Sequence, residues 1–358
     1  MKLIKKTLIS LFIISISSLI GILIFESILQ ILKKGDGWGV INQANIRRNF
    51  NAQYNISKLY KSDKSVVNYV RNKYGLRDDC NTSKNIEILT VGGSTTDQIY
   101  VSFENTFQKV LQERLLIEDE NFGCVTNAGI DGHSTWGHIF SFKKWFPLIP
   151  NLNPKYVLLY VGINDTYFES AERPKLGYDV LVNSSKKDFL KKFETVQLLM
   201  PIYRYLKFSN DQIGFAGHGK QILTKDKYTV TVLNKKINSI SKKNAEAFRA
   251  RFKLILNYVK SLGSTPICVT QPHRYVIKKK DNINYGIPDI IGEGFSGLDY
   301  DYLIQDLNLV INELCKENTL DLYNQKFSDE HFYDGIHTTD KGSIKIGNLM
   351  ANFIIENY

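Results

Sequence analysis

The sequence predicts an α/β protein in which a parallel β-sheet is covered by helices on both faces. From Ile86 to the C-terminus, short apolar runs alternate with amphipathic stretches of helical length. Alternation of this kind is typical of parallel sheets, because each return to a parallel strand needs a crossover. The run 155–161 (Lys-Tyr-Val-Leu-Leu-Tyr-Val) is nearly all apolar, as expected of a strand that is buried on both faces.

The individual elements follow from local patterns. Residues 86–91 form an apolar run that predicts a strand, and residues 103–116 predict a helix with its aromatic and aliphatic side chains on one face. A second strand is expected at 123–127. The next predicted helix, 134–149, begins after Ser134 as its N-cap and ends before Pro150. After strand 155–161, the same alternation predicts helix 241–262, strand 265–270, helix 299–317, strand 319–322 and helix 339–356.

An apolar N-terminal segment precedes this domain and predicts a membrane-spanning helix. Residues 8–25 carry no charge and follow three lysines; as a helix they span about 27 Å, close to the thickness of a bilayer core. A cleaved signal peptide is the alternative. It predicts a shorter apolar region and a small-residue cleavage site, and residues 20–40 contain no alanine. The sequence therefore favours an uncleaved anchor at 1–32, with the N-terminus in the cytoplasm and the body outside.

Two further regions differ in composition from the α/β pattern. Residues 33–85 are polar and poorly periodic, which predicts a stalk that becomes ordered near 74–77, ahead of a domain at 86–358. An insertion at about 166–240 interrupts the domain. Residues 166–245 hold 15 Lys and Arg against 7 Asp and Glu, in a chain of net charge +10. This surplus either attracts anionic lipid or an acidic glycan, or forms a solvated lysine-rich surface.

Candidate catalytic residues follow the predicted strands. Ser94 lies in the turn Gly92-Gly93-Ser94-Thr95, directly after strand 86–91. The next two strands are followed by Asn127-Ala128-Gly129 and by Gly162-Ile163-Asn164-Asp165. Because ligands of parallel sheets bind at the carboxyl ends of the strands, we expect these residues to meet at one edge of the sheet.

The segment Asp334-Gly335-Ile336-His337 supplies a base and an orienting acid. A serine hydroxyl becomes nucleophilic when a neighbouring base accepts its proton, and a carboxylate then holds the imidazole. We therefore predict Ser94, His337 and Asp334 as a catalytic triad. The backbone N–H groups of Ser94 and Gly129, with the side-chain amide of Asn164, are the predicted oxyanion hole.

In this order the four motifs resemble the blocks of the SGNH (GDSL-like) hydrolase family. The resemblance covers residue 86 to the C-terminus, apart from the insertion. It implies a three-layer, flavodoxin-like fold with a five-stranded parallel sheet, and ester hydrolysis or acyl transfer through Ser94, Gly129, Asn164 and His337. Gly93 departs from the family, which usually has aspartate there. This leaves the triad intact but distinguishes the chain from typical secreted lipases.

Three functions remain open from the sequence. The first is a serine esterase that removes short acyl groups from an envelope glycan or lipid, and the second passes the acyl group to a sugar hydroxyl. A non-catalytic glycan-binding protein is disfavoured, because no triad or oxyanion position is missing. His273 and Arg274 follow a strand and are either substrate contacts or part of a solvated loop.

No cofactor, metal or nucleic acid is expected. His133, His138 and His331 lack the acidic or thiol neighbours of a metal site. Residues 214–221 approach a phosphate-binding loop, but the last position is Gln and no convincing strand precedes it. Four cysteines (Cys80, Cys124, Cys268 and Cys315) are compatible either with two disulfides or with four buried thiols.

Overall fold

The structure, a computed structural model, describes residues 2–36, 46–166, 193, 195–196, 199, 227–278, 283–288, 290 and 294–358. The chain divides into two compact units. One consists of Met1–Arg47 with Val180–Ile213, and the other of Arg48–Asp179 with Gly214–Tyr358. Most of the predicted insertion, including the phosphate-loop-like segment 214–221, lies outside the described residues.

The smaller unit contains one long helix, α1 (Lys2–Asp36). Its segment Ile9–Leu32 has a mean hydropathy of 2.3 and is long enough to cross a bilayer. The large apolar side chains from Ile9 to Phe25 are exposed around the helix. A surface that is apolar all round suits a lipid environment better than water.

The larger unit carries the α/β domain. In chain order its strands and helices are β1 (Phe50–Asn55), β2 (Val66–Arg71), β3 (Ile86–Gly92), α2 (Ser94–Asp97), α3 (Phe107–Glu118), β4 (Cys124–Asn127), α4 (Thr135–Phe140), β5 (Tyr156–Tyr160), β6 (Thr229–Val230), α5 (Ile237–Ser261), β7 (Thr265–Val269), β8 (Val276–Lys278), β9 (Asn284–Gly286), α6 (Gly297–Cys315), β10 (Thr319–Leu320) and α7 (Asp340–Asn357). Short 3₁₀ turns include Phe103–Asn105, Ile163–Thr166 and Asp329–His331.

Five parallel strands form the central sheet, in the order β4-β3-β5-β7-β10. Counted along the chain within this sheet, the order is 2-1-3-4-5, which is that of flavodoxin-like folds. The predicted fold class is therefore confirmed. The order reverses between β3 and β5, and ligands of such sheets bind in the crevice at the carboxyl ends of these two strands.

Two helical layers cover the sheet. On one face, Ile88, Leu158 and Tyr160 pack in a core with residues of α3 and α7. The residues between them, Leu89 and Leu159, are also fully buried. Because side chains alternate along a strand, these point to the opposite face, where α5 and α6 pack against each other and against β7. The strands of the sheet are thus buried on both sides.

The predicted stalk is wrong for residues 50–71, which form an antiparallel hairpin of β1 and β2. Buried and exposed residues alternate along β2, and Val67 and Tyr69 pack with Tyr100 and Tyr333 of the α/β domain. The buried face of this hairpin is rich in tyrosine and ends on an arginine. Its polarity conceals the period-2 pattern that would otherwise predict a half-buried strand.

Most other predicted elements agree with the structure to within a few residues. Helix 134–149 is the exception, because the α-helical part ends at Phe140 and continues as a π-turn (Ser141–Trp145) and a 3₁₀ turn (Phe146–Leu148). The cysteines form two disulfides, Cys80–Cys124 and Cys268–Cys315. The first joins the segment after the hairpin to β4, and the second joins β7 to the end of α6.

Candidate active site

Ser94 begins α2, the single helical turn that follows β3 directly. Gly93 is the N-cap of this turn, and the Ser94 side chain lies at the carboxyl end of β3, beside the point where the strand order reverses. Ser94 is 6% exposed. A sharp change from strand to helix at a serine presents the hydroxyl above the sheet edge.

A continuous chain of hydrogen bonds links Ser94 to the C-terminal motif. The His337 Nε2 atom lies 2.8 Å from Ser94 Oγ, and Nδ1 lies 2.7 Å from Asp334 Oδ2. The ionised carboxylate can only accept, so Nδ1 carries a proton and donates it to Asp334. Nε2 is then the acceptor of the Ser94 hydroxyl proton, which is the arrangement that general-base catalysis requires.

The Asp334 carboxylate is held ionised and fixed in orientation. Its Oδ1 atom accepts the backbone N–H groups of Ile336 (2.9 Å) and His337 (2.7 Å). Burial alone would raise the pKa of Asp334, but the His337 ring and these N–H groups outweigh it and lower the pKa below its usual value. Tyr333 stacks on the His337 ring, with centroids 5.7 Å apart and an interplanar angle of 11°.

Asn164 lies on the 3₁₀ turn after β5, and its amide faces the nucleophile turn. One Nδ2 hydrogen is donated to the His133 carbonyl at 2.9 Å, which leaves the second for a ligand. A Cβ atom at Gly93 would lie 2.6 Å from Asn164 Nδ2. An aspartate at this position would therefore have to displace Asn164, so the glycine that departs from the family pattern lets the amide approach the turn.

Asp165 fixes the turn that carries Asn164. Its buried carboxylate accepts the backbone N–H of Thr135 at 3.0 Å and pairs with Arg251 at 3.2 Å. Asn244 of α5 donates to the Asp165 carbonyl. Burial raises the pKa of Asp165, although Arg251 and Thr135 oppose the shift. The position of Asn164 thus depends on α4 and α5 as well as on its own strand.

The structure corrects the prediction of Gly129 as an oxyanion donor. Its N–H donates to the Asn127 side chain at 2.8 Å, and a Cβ atom there would lie 2.3 Å from the Asp97 nitrogen. Gly129 therefore serves close packing against α2. Three residues later, Gly132 has a φ of +76° and precedes His133, whose carbonyl binds Asn164. Its N–H has no hydrogen-bond acceptor among the described residues, which makes Gly132 the better candidate donor.

Sequence reasoning missed Gly132 because it placed the donor directly after the strand. The sequence feature that could have indicated Gly132 is the second glycine of Gly129-Ile130-Asp131-Gly132. A left-handed backbone conformation favours glycine, and such turns direct N–H groups outward.

His273 and Arg274, which the sequence left as either substrate contacts or part of a solvated loop, both have carboxylate partners within the domain. The His273 side chain is 3% exposed, and its Nε2 atom lies 3.0 Å from Asp301 Oδ1. Arg274 pairs with Asp329 at 2.6 Å and donates its backbone N–H to the Gly335 carbonyl at 2.7 Å. Both side chains are thus engaged by carboxylates, and the backbone of Arg274 holds the loop that carries the candidate acid and base, Asp334 and His337.

Among the residues that the structure describes, no group of three or more His, Cys, Asp or Glu is placed to hold a metal ion. His133 and His138 lie close together, with ring centroids 5.7 Å apart. Burial lowers the pKa of His138 to about 3, so this ring is neutral at physiological pH.

A flavodoxin-like sheet with a Ser–His–Asp chain at its switch point defines the class, an α/β protein with the constellation of serine hydrolases. Solved structures similar to this chain include an esterase from Pseudoalteromonas sp. (12% identity, covering 75% of this chain and 96% of that one, TM-score 0.39). A GDSL-like lipase from Bacteroides thetaiotaomicron is also similar (12% identity, 77% and 88% covered, TM-score 0.38). An acetylxylan esterase from Geobacillus stearothermophilus is a third (12% identity, 75% and 92% covered, TM-score 0.38).

No protein-family model matches the chain, and no curated protein sequence matches it. The class therefore stands on the strand order and on the geometry of the site.

Proposed function

We propose that the protein is a serine ester hydrolase that works through an acyl-enzyme on Ser94. The single observation that carries this proposal is the hydrogen-bonded chain from Ser94 through His337 to Asp334, with links of 2.8 and 2.7 Å. Hydroxyl, imidazole and carboxylate in this order are the parts that nucleophilic acyl transfer needs.

The proposed chemistry proceeds in two halves. Ser94 Oγ attacks the acyl carbon while His337 Nε2 takes the hydroxyl proton, and Asp334 stabilises the imidazolium. The N–H groups of Ser94 and Gly132 and the amide of Asn164 stabilise the oxyanion. His337 returns the proton to the leaving alcohol as the carbon–oxygen bond breaks. Water then attacks the acyl-Ser94 by the same route and releases the acid.

The proposed substrate is a short acyl ester on an envelope glycan or lipid. Ser94 is 6% exposed, so an acyl group must enter the crevice at the carboxyl ends of β3 and β5 to reach its hydroxyl, and a series of acyl esters measures which chain length fits. Transfer to a sugar hydroxyl uses the same acyl-enzyme and differs only in the group that attacks it. The same protein can therefore be assayed for both hydrolysis and acyl transfer.

We also propose that α1 is an uncleaved anchor and that the catalytic domain lies outside the cytoplasm. Within the smaller unit, Glu26 of α1 is buried and accepts hydrogen bonds from the backbone N–H and the hydroxyl of Thr195, at 2.9 and 2.8 Å. This pairing within the smaller unit gives the helix a role after insertion, which supports retention over cleavage. Two disulfides in the larger unit support an oxidising compartment.

The activity test uses the full chain in detergent micelles. We expect turnover of p-nitrophenyl acetate and covalent labelling by a fluorophosphonate probe, with both abolished in Ser94→Ala. Ser102→Ala is the matched control, because Ser102 is also buried but its hydroxyl accepts a hydrogen bond from Asn105. The proposal fails if neither signal depends on Ser94 across acyl chains from two to twelve carbons. Added oligosaccharide acceptors that become acylated would assign transfer instead of hydrolysis.

Membrane placement is tested separately in intact cells. Intact-mass analysis distinguishes the retained helix from a cleaved signal peptide. Protease supplied on the outer side should digest the α/β domain while the membrane that holds α1 is intact, and protection until that membrane is opened would contradict the proposed orientation.

A further inference from the structure

A buried carboxylate joins three separate segments next to the proposed nucleophile. Asp97 is the last residue of α2 and is 1% exposed. Its Oδ1 atom accepts the Tyr69 hydroxyl at 2.6 Å and the Arg71 guanidinium at 2.7 Å, both from β2. Its Oδ2 atom accepts the backbone N–H of Asp131 at 3.2 Å. Asp131 immediately precedes Gly132, the candidate oxyanion donor.

Arg71 makes the connection from the other side. Its side chain is completely buried, and the NH2 group that pairs with Asp97 also donates to the Gly129 carbonyl. NH1 donates to the Gly75 carbonyl at 2.5 Å, and Nε donates to the Tyr69 hydroxyl. One guanidinium thus ties the turn at 129–131 to the helix that begins with Ser94.

The energetics of a buried Arg–Asp pair favour a role in positioning its neighbours over a role in stabilising the fold. Removing two charges from water costs several kcal/mol per ion, and apolar residues of similar volume often stabilise a fold equally well. What an apolar pair cannot provide is directional bonds to a carbonyl and an N–H of a particular turn. Oxyanion donors need such accuracy, since displacement by about 1 Å costs up to about 100-fold in rate.

We propose that Arg71 and Asp97 are positioning residues that hold the 129–132 turn in register with Ser94. The N-terminal hairpin is on this view a part of the active-site scaffold. The catalytic consequence rests on the proposed function, whereas the effect on the turn itself is independent of any substrate.

Arg71→Met tests the proposal, with Arg77→Met as its matched control. Arg77 is equally buried and belongs to the same segment, but its guanidinium donates to the carbonyls of Asp97, Gln98 and Val101 and not to the 129–131 turn. We expect Arg71→Met to lower kcat by about 10- to 100-fold, with KM within about threefold and an unchanged pH profile, since the Ser94–His337–Asp334 chain is untouched. The fold decrease in kcat should be at least five times smaller in Arg77→Met than in Arg71→Met, at a comparable loss of Tm.

Hydrogen exchange of the Asp131 and Gly132 amides gives a readout that does not depend on turnover. Exchange should accelerate in Arg71→Met and stay near the wild-type rate in Arg77→Met. Equal acceleration in both variants, or a kcat of Arg71→Met within threefold of wild type, would overturn the proposal.

If Arg71→Met does not fold, Asp97→Asn provides the second test. It preserves volume, removes the charge, and sets an amide against either the Asp131 N–H or the Arg71 guanidinium. We expect faster exchange at Asp131 here too, and an unchanged rate would refute the positioning role. An inactive wild type with this exchange pattern would instead count against the proposed function alone.

Discussion

Replacing Asp334 by Asn is the sharpest test of the Ser94–His337–Asp334 chain. The amide is isosteric, and its oxygen still accepts the N–H groups of Ile336 and His337 that Oδ1 accepts now. Its NH₂ group then lies where Oδ2 stands, 2.7 Å from His337 Nδ1. Two donors cannot face each other, so Nδ1 must become the acceptor. The ring proton moves to Nε2, which can no longer accept the proton of Ser94.

The expected loss in kcat is about 10,000-fold, the size of the effect when an orienting carboxylate is made an amide in a serine protease. Each factor of ten corresponds to about 1.36 kcal/mol, so the barrier rises by about 5.4 kcal/mol. Folding should lose less free energy than this at neutral pH, because the volume is kept, two of the three hydrogen bonds are retained and the third is reversed.

The assay is p-nitrophenyl acetate hydrolysis, with Tm measured in parallel on the full chain in detergent. Asp329→Asn is the matched control, since Asp329 is on the same loop but pairs with Arg274 and is largely exposed. We expect less than a threefold change there. A loss below tenfold in Asp334→Asn at unchanged Tm would refute the assignment of Asp334.

The same variant has a signature in stability against pH. The folded-state pKa of Asp334 lies below its usual value, so its ionised form stabilises the fold above about pH 4, and this contribution is lost as pH falls through the folded-state pKa. The difference in Tm between wild type and Asp334→Asn should therefore shrink below pH 4. A difference that is constant from pH 7 to pH 3 would contradict the shift.

Three further outcomes are expected. Asn164→Ala removes one oxyanion donor and should lower kcat by about 100- to 1000-fold with little change in KM, measured by steady-state kinetics. Gly129→Ala should reduce both Tm and activity severely, because the new Cβ would lie 2.3 Å from the Asp97 nitrogen. At Gly132 a new Cβ meets nothing within 4 Å, so Gly132→Ala should lower the unfolding free energy by only about 1–2 kcal/mol, the cost of a left-handed backbone, as measured by denaturant titration. Replacing Cys80 and Cys124 by serine opens a loop with a sequence separation of 44 and should lower the unfolding free energy by about 2–4 kcal/mol, and an unchanged midpoint would indicate that the bridge is dispensable.

The elements of the sheet were predictable because their pattern is local. The apolar run 155–161 contains β5, and the alternation with helices implied parallel strands before any contact was known. The triad order was predictable for a similar reason, since Asp334 and His337 are three residues apart and Ser94 follows a strand directly. Short motifs at strand ends can therefore be recognised from neighbouring residues alone.

Other features depended on contacts between distant segments. Gly129 and Gly132 both follow β4, and the close packing of Gly129 against the Asp97 backbone distinguishes them, because a Cβ atom at Gly132 would meet nothing within 4 Å. The burial of His273 depends on Asp301 in α6, which nothing near residue 273 reveals. The β1–β2 hairpin was missed because the Arg71 side chain looks solvent-exposed until Asp97 is known to face it.

The sequence by itself determined the fold class, the apolar helix at the N-terminus and the three residues that meet in the Ser94–His337–Asp334 chain. Each of these is indicated by the hydrophobic periodicity or by a motif of a few neighbouring residues. Only the tertiary structure decided which glycine after β4 packs against α2, which arginines are bound by carboxylates, and how the hairpin reaches the site. Those properties depend on partners far away along the chain, for example Arg71 and Gly129 at a separation of 58 residues, because a buried polar group is satisfied by whatever the fold brings beside it.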